Sequence, residues 1–172
     1  MYRILRQIAR TGIVSETPPR PDEAYRLLSA RLRAEVLRSF AGALSIRHVD
    51  AGSCNGCELE IHATSNPVYN LEGLGIRFVA SPRHADMLLV TGPVSRNMET
   101  ALRRTYDATP APRLVVAIGD CGCTGGIFGE SYASAGRVSK VIPVDVAVPG
   151  CPPTPVQIIQ GILTAIEVRA AS

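Results

Sequence analysis

Residues 114–121 read Leu-Val-Val-Ala-Ile-Gly-Asp-Cys, an apolar run followed at once by a glycine, an acid and a cysteine. A short uninterrupted apolar run rich in Val and Ile predicts a strand that is buried on both faces, as strands of parallel sheets are. Gly119 ends the run, and Cys121 follows closely. The stretch therefore predicts a central strand with a thiol at its carboxyl end.

Short apolar runs alternate with helical stretches on both sides of this strand. Further strands are predicted at residues 46–49, 75–80, 87–91 and 141–144. Helices are predicted at residues 58–65, 97–106 and 154–170. Strands that alternate with helices indicate an α/β domain, here residues 46–172, with a parallel sheet covered by helices on both faces.

Residues 1–45 are predicted to form a basic helical arm beside this domain. A short amphipathic helix carries Ile4, Leu5 and Ile8 among arginines, and a proline-rich linker follows at residues 18–21. A second helix is predicted at about residues 22–40, with Asp22 as its N-cap. Its apolar stripe leaves two interpretations open: packing on the domain core, or a docking face for a partner subunit or a membrane surface.

Composition excludes some functions and favours one compartment. The formal net charge is only +3 and Trp is absent, so nucleic acid is not an expected partner. No apolar run approaches the roughly 20 residues that cross a bilayer, and no signal-peptide pattern is present. We therefore expect no transmembrane helix and a reducing cytoplasmic environment, in which the five cysteines serve as metal ligands more readily than as disulfides.

Four of the cysteines lie in glycine- or proline-containing turns after predicted strands. They are Cys54 and Cys57 in a Cys-x-x-Cys pair, Cys121, and Cys151. Because the carboxyl ends of parallel strands meet at one edge of a sheet, these thiols can converge there. Four converging thiolates suit an iron–sulfur cluster or a zinc ion.

The spacing of the cysteines leaves several kinds of site open. A thioredoxin-like pair would leave Cys121 and Cys151 unexplained, and a zinc knuckle normally draws on two Cys-x-x-Cys elements. A cuboidal [4Fe–4S] cluster accepts ligands from separate loops, since each iron takes one thiolate. Cys123 is predicted to be a packed thiol and not a ligand, because Cys121 comes directly off the strand.

Several motifs resemble one known family across roughly residues 46–168. They are Asp-Ala-Gly-Ser-Cys-Asn-Gly-Cys at 50–57, Ser-Pro-Arg-His-Ala-Asp at 81–86, Thr-Gly-Pro-Val at 91–94, Gly-Asp-Cys at 119–121, Gly-Gly-Ile-Phe at 125–128, Val-Asp-Val at 144–146, and Pro-Gly-Cys-Pro-Pro-Thr-Pro at 149–155. This family contains the 20 kDa cluster-bearing subunit of respiratory complex I and the small subunits of membrane-bound [NiFe] hydrogenases. The resemblance implies a flavodoxin-like core and one [4Fe–4S] cluster on Cys54, Cys57, Cys121 and Cys151.

The Cys-x-x-Cys spacing distinguishes the chain from complex I, whose subunit carries two adjacent cysteines here. The chain looks most like the formate-hydrogenlyase and energy-converting hydrogenase branch. This implies a non-catalytic electron-transfer subunit, peripheral on the cytoplasmic face of the inner membrane. The implied partners are a large catalytic subunit, a ferredoxin-like iron–sulfur subunit, and membrane subunits that contact residues 1–45.

Two alternatives stay open at this point: the cluster-bearing subunit of a complex I-type NADH-quinone oxidoreductase, and a structural zinc-binding adaptor.

Two charged residues are also candidates for roles beside the cysteines. Glu58 is expected either to face the partner and relay protons or to be a solvated or capping carboxylate. Arg83, in a strand-end loop, is expected to lie near the cluster and raise its potential.

Overall fold

A computed structural model describes residues 2–12 and 22–171 of the chain. The helices are α1 (Tyr2–Thr11), α2 (Glu23–Phe40), α3 (Gly56–Ala63), α4 (Arg96–Ala108), α5 (Gly119–Thr124) and α6 (Pro155–Ala171). The strands are β1 (Leu44–Asp50), β2 (Ile76–Phe78), β3 (Met87–Thr91), β4 (Val94–Ser95), β5 (Leu114–Ile118), β6 (Ser134–Gly136) and β7 (Val146–Val148). Short 3₁₀ helices lie at Leu71–Leu74, Pro82–His84 and Val138–Lys140. The predicted linker at residues 18–21 lies outside the described residues.

Five of the strands form one parallel sheet in the order β2-β1-β3-β5-β7. This is the flavodoxin-like order, in which β2 lies on one side of β1 and the strands β3, β5 and β7 follow on the other side. All residues of β3 and β5 are buried, as the apolar run at 114–118 predicts. The predicted parallel α/β fold is confirmed.

Alternate residues of the central strands pack into two separate hydrophobic cores. Met87 and Leu89 of β3 pack in one core with α2, α3 and α6, whereas Leu88 and Val90 pack in the other with Leu102 of α4. This separation follows from the two-residue period of a strand, whose successive side chains point to opposite faces. Helices therefore cover both faces of the sheet, as the alternating pattern indicates.

Helix α2 belongs to the first of these cores. Leu32 and Val36 are buried, and Arg31 forms a 2.6 Å ion pair with Glu167 of α6. Asp22 caps the helix as expected, since its Oδ1 accepts a hydrogen bond from the N–H of Ala24 at 3.0 Å. Part of the apolar stripe of α2 thus packs on the core, while Leu27 and Leu37 stay exposed. The boundary at residue 45 stays a prediction.

Helix α1 forms at the predicted amphipathic segment, and none of its residues is buried. Among the described residues, no helix combines the length and the apolar character needed to cross a bilayer.

The predicted strand at residues 141–144 is wrong, because the strand lies at Val146–Val148. Pro143 has no N–H to donate to a ladder. Asp145 instead holds the chain against β5, since its N–H donates to the carbonyl of Val115 and its Oδ2 accepts from the N–H of Val115. Val141 and Ile142 are buried in the second core without being part of a strand.

Candidate metal centre

Four cysteines lie together at the carboxyl edge of the sheet. Cys54 follows β1, Cys121 follows β5, Cys151 follows β7, and Cys57 lies in the first turn of α3. All four line one cavity of about 150 Å³, together with Gly92 at the end of β3 and other residues of the same loops. Cys57 and Cys121 are partly buried, while Cys54 and Cys151 are exposed, so the cavity reaches the surface beside the latter two.

The loop that carries Cys54 is held by Asp50, the last residue of β1. Asp50 Oδ1 accepts hydrogen bonds from the N–H groups of Gly52 and Ser53, each at 2.8 Å. The loop then crosses the end of β3 at Gly92, whose φ is +77°. A Cβ at Gly92 would lie 2.5 Å from the nitrogen of Ser53, so only glycine permits this crossing.

Asp120 joins the loops of Cys121 and Cys151. The N–H of Asp120 donates to the carbonyl of Gly150 at 2.8 Å, and Asp120 Oδ1 accepts from the N–H of Gly150 at 2.8 Å. This reciprocal pair fixes the two loops against each other, and with them the separation of the two thiols.

Two glycines leave the room that the thiols occupy. A Cβ at Gly119 would lie 2.6 Å from Cys57 Sγ, and a Cβ at Gly126 would lie 2.8 Å from Cys121 Sγ. Such separations are far below van der Waals contact, so a side chain at either position would displace a thiol.

Cys123 lies outside this cavity. Helix α5 turns the chain by about 200° between residues 121 and 123, and Cys123 packs against the second core. Its Sγ lies 3.6 Å from the carbonyl oxygen of Ala117, to which it donates. In an extended chain residues 121 and 123 would share a face, so their separation depends on α5, a helix that the sequence does not predict.

Burial and mutual repulsion disfavour free thiolates in the cavity. The pKa of Cys57 is raised to about 12, by burial first and then by the nearby Glu58, Cys54, Cys121 and Cys151. The pKa of Cys121 is also raised, by burial first and then by Cys151 and Cys54. Thiolates at this site therefore need a positively charged group between them, which bound metal ions supply while displacing the thiol protons.

The donor set fits an iron–sulfur group. Thiolates are the ligands that such clusters take, and a cavity that holds one water needs only about 10–15 Å³, far less than the space found here. Within residues 2–12 and 22–171, no group of three or more His, Cys, Asp or Glu side chains is arranged as a metal-ion site. The four thiols surround a space that several atoms can fill.

A polar group of His48, Thr91 and Glu58 links β1, β3 and α3, and the sequence interpretation missed His48. His48 Nε2 lies 3.0 Å from Thr91 Oγ1 and 3.6 Å from Glu58 Oε1. Glu58 is only 6% exposed, and neither of its carboxylate oxygens has a hydrogen-bond partner among the described residues. Of the two roles expected for Glu58, that of a solvated carboxylate is therefore wrong, and that of a proton relay facing the partner stays a prediction.

Arg83 lies apart from the cysteines. It is exposed in the 3₁₀ helix Pro82–His84, which precedes the first residue of β3. The strands of the sheet begin at that edge, whereas the cysteines follow strand ends at the opposite edge. The expected contact of Arg83 with the cluster is not found.

An exposed apolar patch adjoins the cysteines. We call Ile127, Phe128 and Tyr132 the α5–β6 patch; Ile127 is 94% exposed and Tyr132 is 99% exposed. Ile127 and Phe128 line a groove of about 540 Å³ whose other walls include Cys54, Cys121 and Cys151. Large apolar side chains at this exposure indicate a surface that a partner covers.

A family model described as NADH ubiquinone oxidoreductase, 20 Kd subunit, matches residues 54–165. The match begins at the first of the four cysteines and includes the other three. It thus covers the whole candidate metal centre.

Individual relatives agree with this match. Formate hydrogenlyase subunit 7 of Escherichia coli (strain K12) is 43% identical over 80% of this chain, and the matched part spans only 54% of that protein. The probable membrane-bound hydrogenase subunit mbhJ of Pyrococcus furiosus is 48% identical over 70% of this chain and 72% of its own length. A solved chain of the membrane-bound sulfane sulfur reductase, an archaeal respiratory membrane complex, superimposes with a TM-score of 0.66 at 33% identity, covering 80% of this chain and 75% of that one.

Proposed function

This chain belongs to the NADH ubiquinone oxidoreductase 20 Kd subunit family, and on that premise we propose that it is the electron-transfer subunit of a membrane-associated [NiFe] hydrogenase or formate hydrogenlyase-type complex. It would carry one [4Fe–4S] cluster and pass electrons to or from a large catalytic subunit. The hydrogenase branch is favoured because the matched relatives include subunits of formate hydrogenlyase and of a membrane-bound hydrogenase.

The observation that carries this proposal is that Cys54, Cys57, Cys121 and Cys151 line a single cavity. We propose these four as the cluster ligands and Cys123 as a packed thiol. When bound, the cluster supplies reversible one-electron chemistry. The metal-free thiols lose their protons on binding. Because the pKa values of Cys57 and Cys121 are raised, cluster binding should be favoured at higher pH.

The residues around the thiols have positioning and electrostatic roles in this proposal. Gly119 and Gly126 leave room for two thiols, and Asp120 fixes the loop of Cys151. Glu58 is a buried acid next to Cys57, and where it is ionised its charge opposes the addition of an electron. Among the residues that the structure describes, we assign no acid–base pair at a substrate pocket to catalysis, and we propose that the chain is inactive alone.

The proposed partners occupy different surfaces. The large catalytic subunit would cover the α5–β6 patch, because this patch adjoins the cavity and an electron would leave by the shortest path. A ferredoxin-like iron–sulfur subunit would complete the electron path, and membrane subunits would contact residues 1–45. We propose peripheral attachment at the cytoplasmic face of the inner membrane.

A complex I-type NADH-quinone oxidoreductase is the alternative assembly, favoured by the description of the matching family model. The electron-transfer role of this chain would be the same, and the large subunit would determine the acceptor. The sequence of the neighbouring large subunit separates the two. Two Cys-x-x-Cys pairs able to bind nickel would select a hydrogenase, and their absence would select the alternative.

Metal analysis of the purified chain tests the cluster. Protein prepared without oxygen is expected to be brown and to contain iron and acid-labile sulfide in equal amounts, about four of each per chain. Colourless protein that contains only zinc would replace the electron-transfer role with that of a structural zinc-binding adaptor.

A further inference from the structure

Helix α1 presents large apolar side chains to solvent. No residue of the helix is buried. The exposed fraction of its large apolar residues runs from 59% at Leu5 to 78% at Tyr2, with Ile4 and Ile8 between them. Exposure of this kind over a whole helix face indicates that another surface covers it.

The apolar and polar residues of α1 lie on opposite sides. At about 100° per residue, one arc of about 160° holds the apolar residues Tyr2, Ile4, Leu5, Ile8 and Ala9. The remaining arc holds the polar residues Arg3, Arg6, Gln7, Arg10 and Thr11. The three arginines therefore project from the side opposite the apolar face, and the helix contains no acid.

The helix has little within the described chain to stabilise it. Across residues 2–12 and 22–171, no salt bridge joins Arg3, Arg6 or Arg10 to an acid. Isolated helices shorter than about 12–15 residues are marginal in water, and α1 has 10 residues. Its stability therefore depends on a surface that takes up the apolar face and tolerates the arginines.

We propose that α1 lies in the plane of an anionic lipid bilayer, with its apolar face among the acyl chains and its arginines among the headgroups. A helix with a cationic face, an apolar face and no acid has the charge and shape that such a surface binds. A protein partner would instead need an apolar groove with acidic rims in one matching orientation, whereas an anionic bilayer supplies both features everywhere. The proposal deepens the proposed membrane attachment, but does not depend on the metal centre.

Co-sedimentation of the full chain with vesicles tests this proposal. The chain is expected to sediment with vesicles of phosphatidylcholine and phosphatidylglycerol, and far less with vesicles of phosphatidylcholine alone. High salt should weaken the binding, because salt screens the attraction between arginines and headgroups. Neither a cluster nor a partner subunit is needed, so failure of the electron-transfer proposal would leave this result unaffected.

Variants assign the binding to α1. Replacing the three arginines of α1 by Gln should weaken binding to the anionic vesicles by about 100-fold. The double variant Ile4→Asp/Ile8→Asp should weaken it by at least about tenfold, since charged groups then replace the inserted side chains. The matched control is Leu27→Asp/Leu37→Asp, which makes the same kind of change at exposed positions of α2 and should bind like the unmodified chain.

Three outcomes would overturn the proposal: no sedimentation with anionic vesicles, unchanged binding of the Ile4→Asp/Ile8→Asp variant, or loss of binding in the α2 control alone. Suppose instead that the Ile4→Asp/Ile8→Asp variant loses its membrane subunits during co-purification, while the unmodified chain does not sediment with vesicles. The helix then binds protein, and the lipid assignment is wrong. Because α1 buries no residue, the variants should keep the melting temperature of the unmodified chain.

Discussion

Gly119 is the residue whose substitution tests the shape of the metal centre most simply. Its φ of +83° lies in the left-handed region, and a Cβ there would press on Cys57 Sγ. We expect Gly119→Ala to cost about 1–2 kcal/mol of stability through its backbone conformation. The displaced thiol should also reduce the iron bound per chain, which metal analysis measures.

Gly122 provides the matched control in the same short helix. A Cβ at Gly122 would meet nothing closer than 3.5 Å, which is ordinary contact. Gly122→Ala should therefore retain iron. Equal iron content in the two variants would show that Gly119 does not shape the thiol cavity.

His48 should make stability depend on pH. Burial lowers its pKa below the ordinary 6.5, outweighing Glu58 and Asp50, which raise it, while Arg47 and His62 lower it slightly further. Below about pH 6.5 the unfolded chain takes up the proton first, so the stabilising contribution of the neutral imidazole is present above that pH and is lost as the pH falls.

The variant His48→Gln tests this dependence, because glutamine keeps a polar group near Thr91 but does not titrate. The melting temperature of the unmodified chain should fall more between pH 7.5 and pH 5 than that of the variant. If the melting temperatures of the two proteins fall equally between pH 7.5 and pH 5, the proposed pH dependence of His48 is wrong.

Residue types and spacing predict the thiols better than their surroundings. Cys54, Cys57, Cys121 and Cys151 converge as the strand-end pattern indicates. The roles of Gly92 and Asp120 could not be predicted, because they depend on contacts between loops that are distant in the chain. The burial of Glu58 could not be predicted for the same reason, since it depends on packing and not on its neighbours in sequence.

At the scale of elements, helix α2 determines how much of residues 1–45 belongs to the domain. Leu32 is fully buried against the first core, while Leu37, on the same helix, is 66% exposed. Leu32→Ala should destabilise the chain by about 2–5 kcal/mol, since it removes buried methyl groups and leaves a cavity.

Urea unfolding of Leu32→Ala and Leu37→Ala measures this difference. Leu37→Ala should change the free energy of unfolding by no more than about 0.5 kcal/mol. If the two variants unfold at the same urea concentration, α2 does not pack on the domain, and the whole segment to residue 45 behaves as an arm.

The long periodic and apolar elements were predictable, and the short ones were not. Strands β3 and β5 occur at the predicted bounds because a buried parallel strand is a continuous apolar run. Val141 and Ile142 mimic such a run but fill the second core from an irregular segment. Helix α5 was not predicted because Gly119 and Gly122 disfavour a helix, and close loop packing outweighs that preference.

At the scale of the whole molecule, the proposed function requires a partner close to the thiols. The α5–β6 patch is the described surface that adjoins them, so Ile127→Asp should weaken association with the large subunit by at least tenfold, as loss of an interface anchor does. Co-purification of the complex measures this. Val68→Asp, at another exposed apolar position, should leave the complex intact. If both variants lose the large subunit equally, the α5–β6 patch is not its binding surface.

We propose that four of the five cysteines hold one [4Fe–4S] cluster. The most direct test is the low-temperature EPR spectrum of the reduced chain, recorded for the unmodified protein, Cys121→Ala and Cys123→Ala. We expect the signal of one reduced cluster in the unmodified protein and in Cys123→Ala, and its loss in Cys121→Ala. A signal that survives in Cys121→Ala and disappears in Cys123→Ala, or no signal in the unmodified iron-loaded chain, would contradict it.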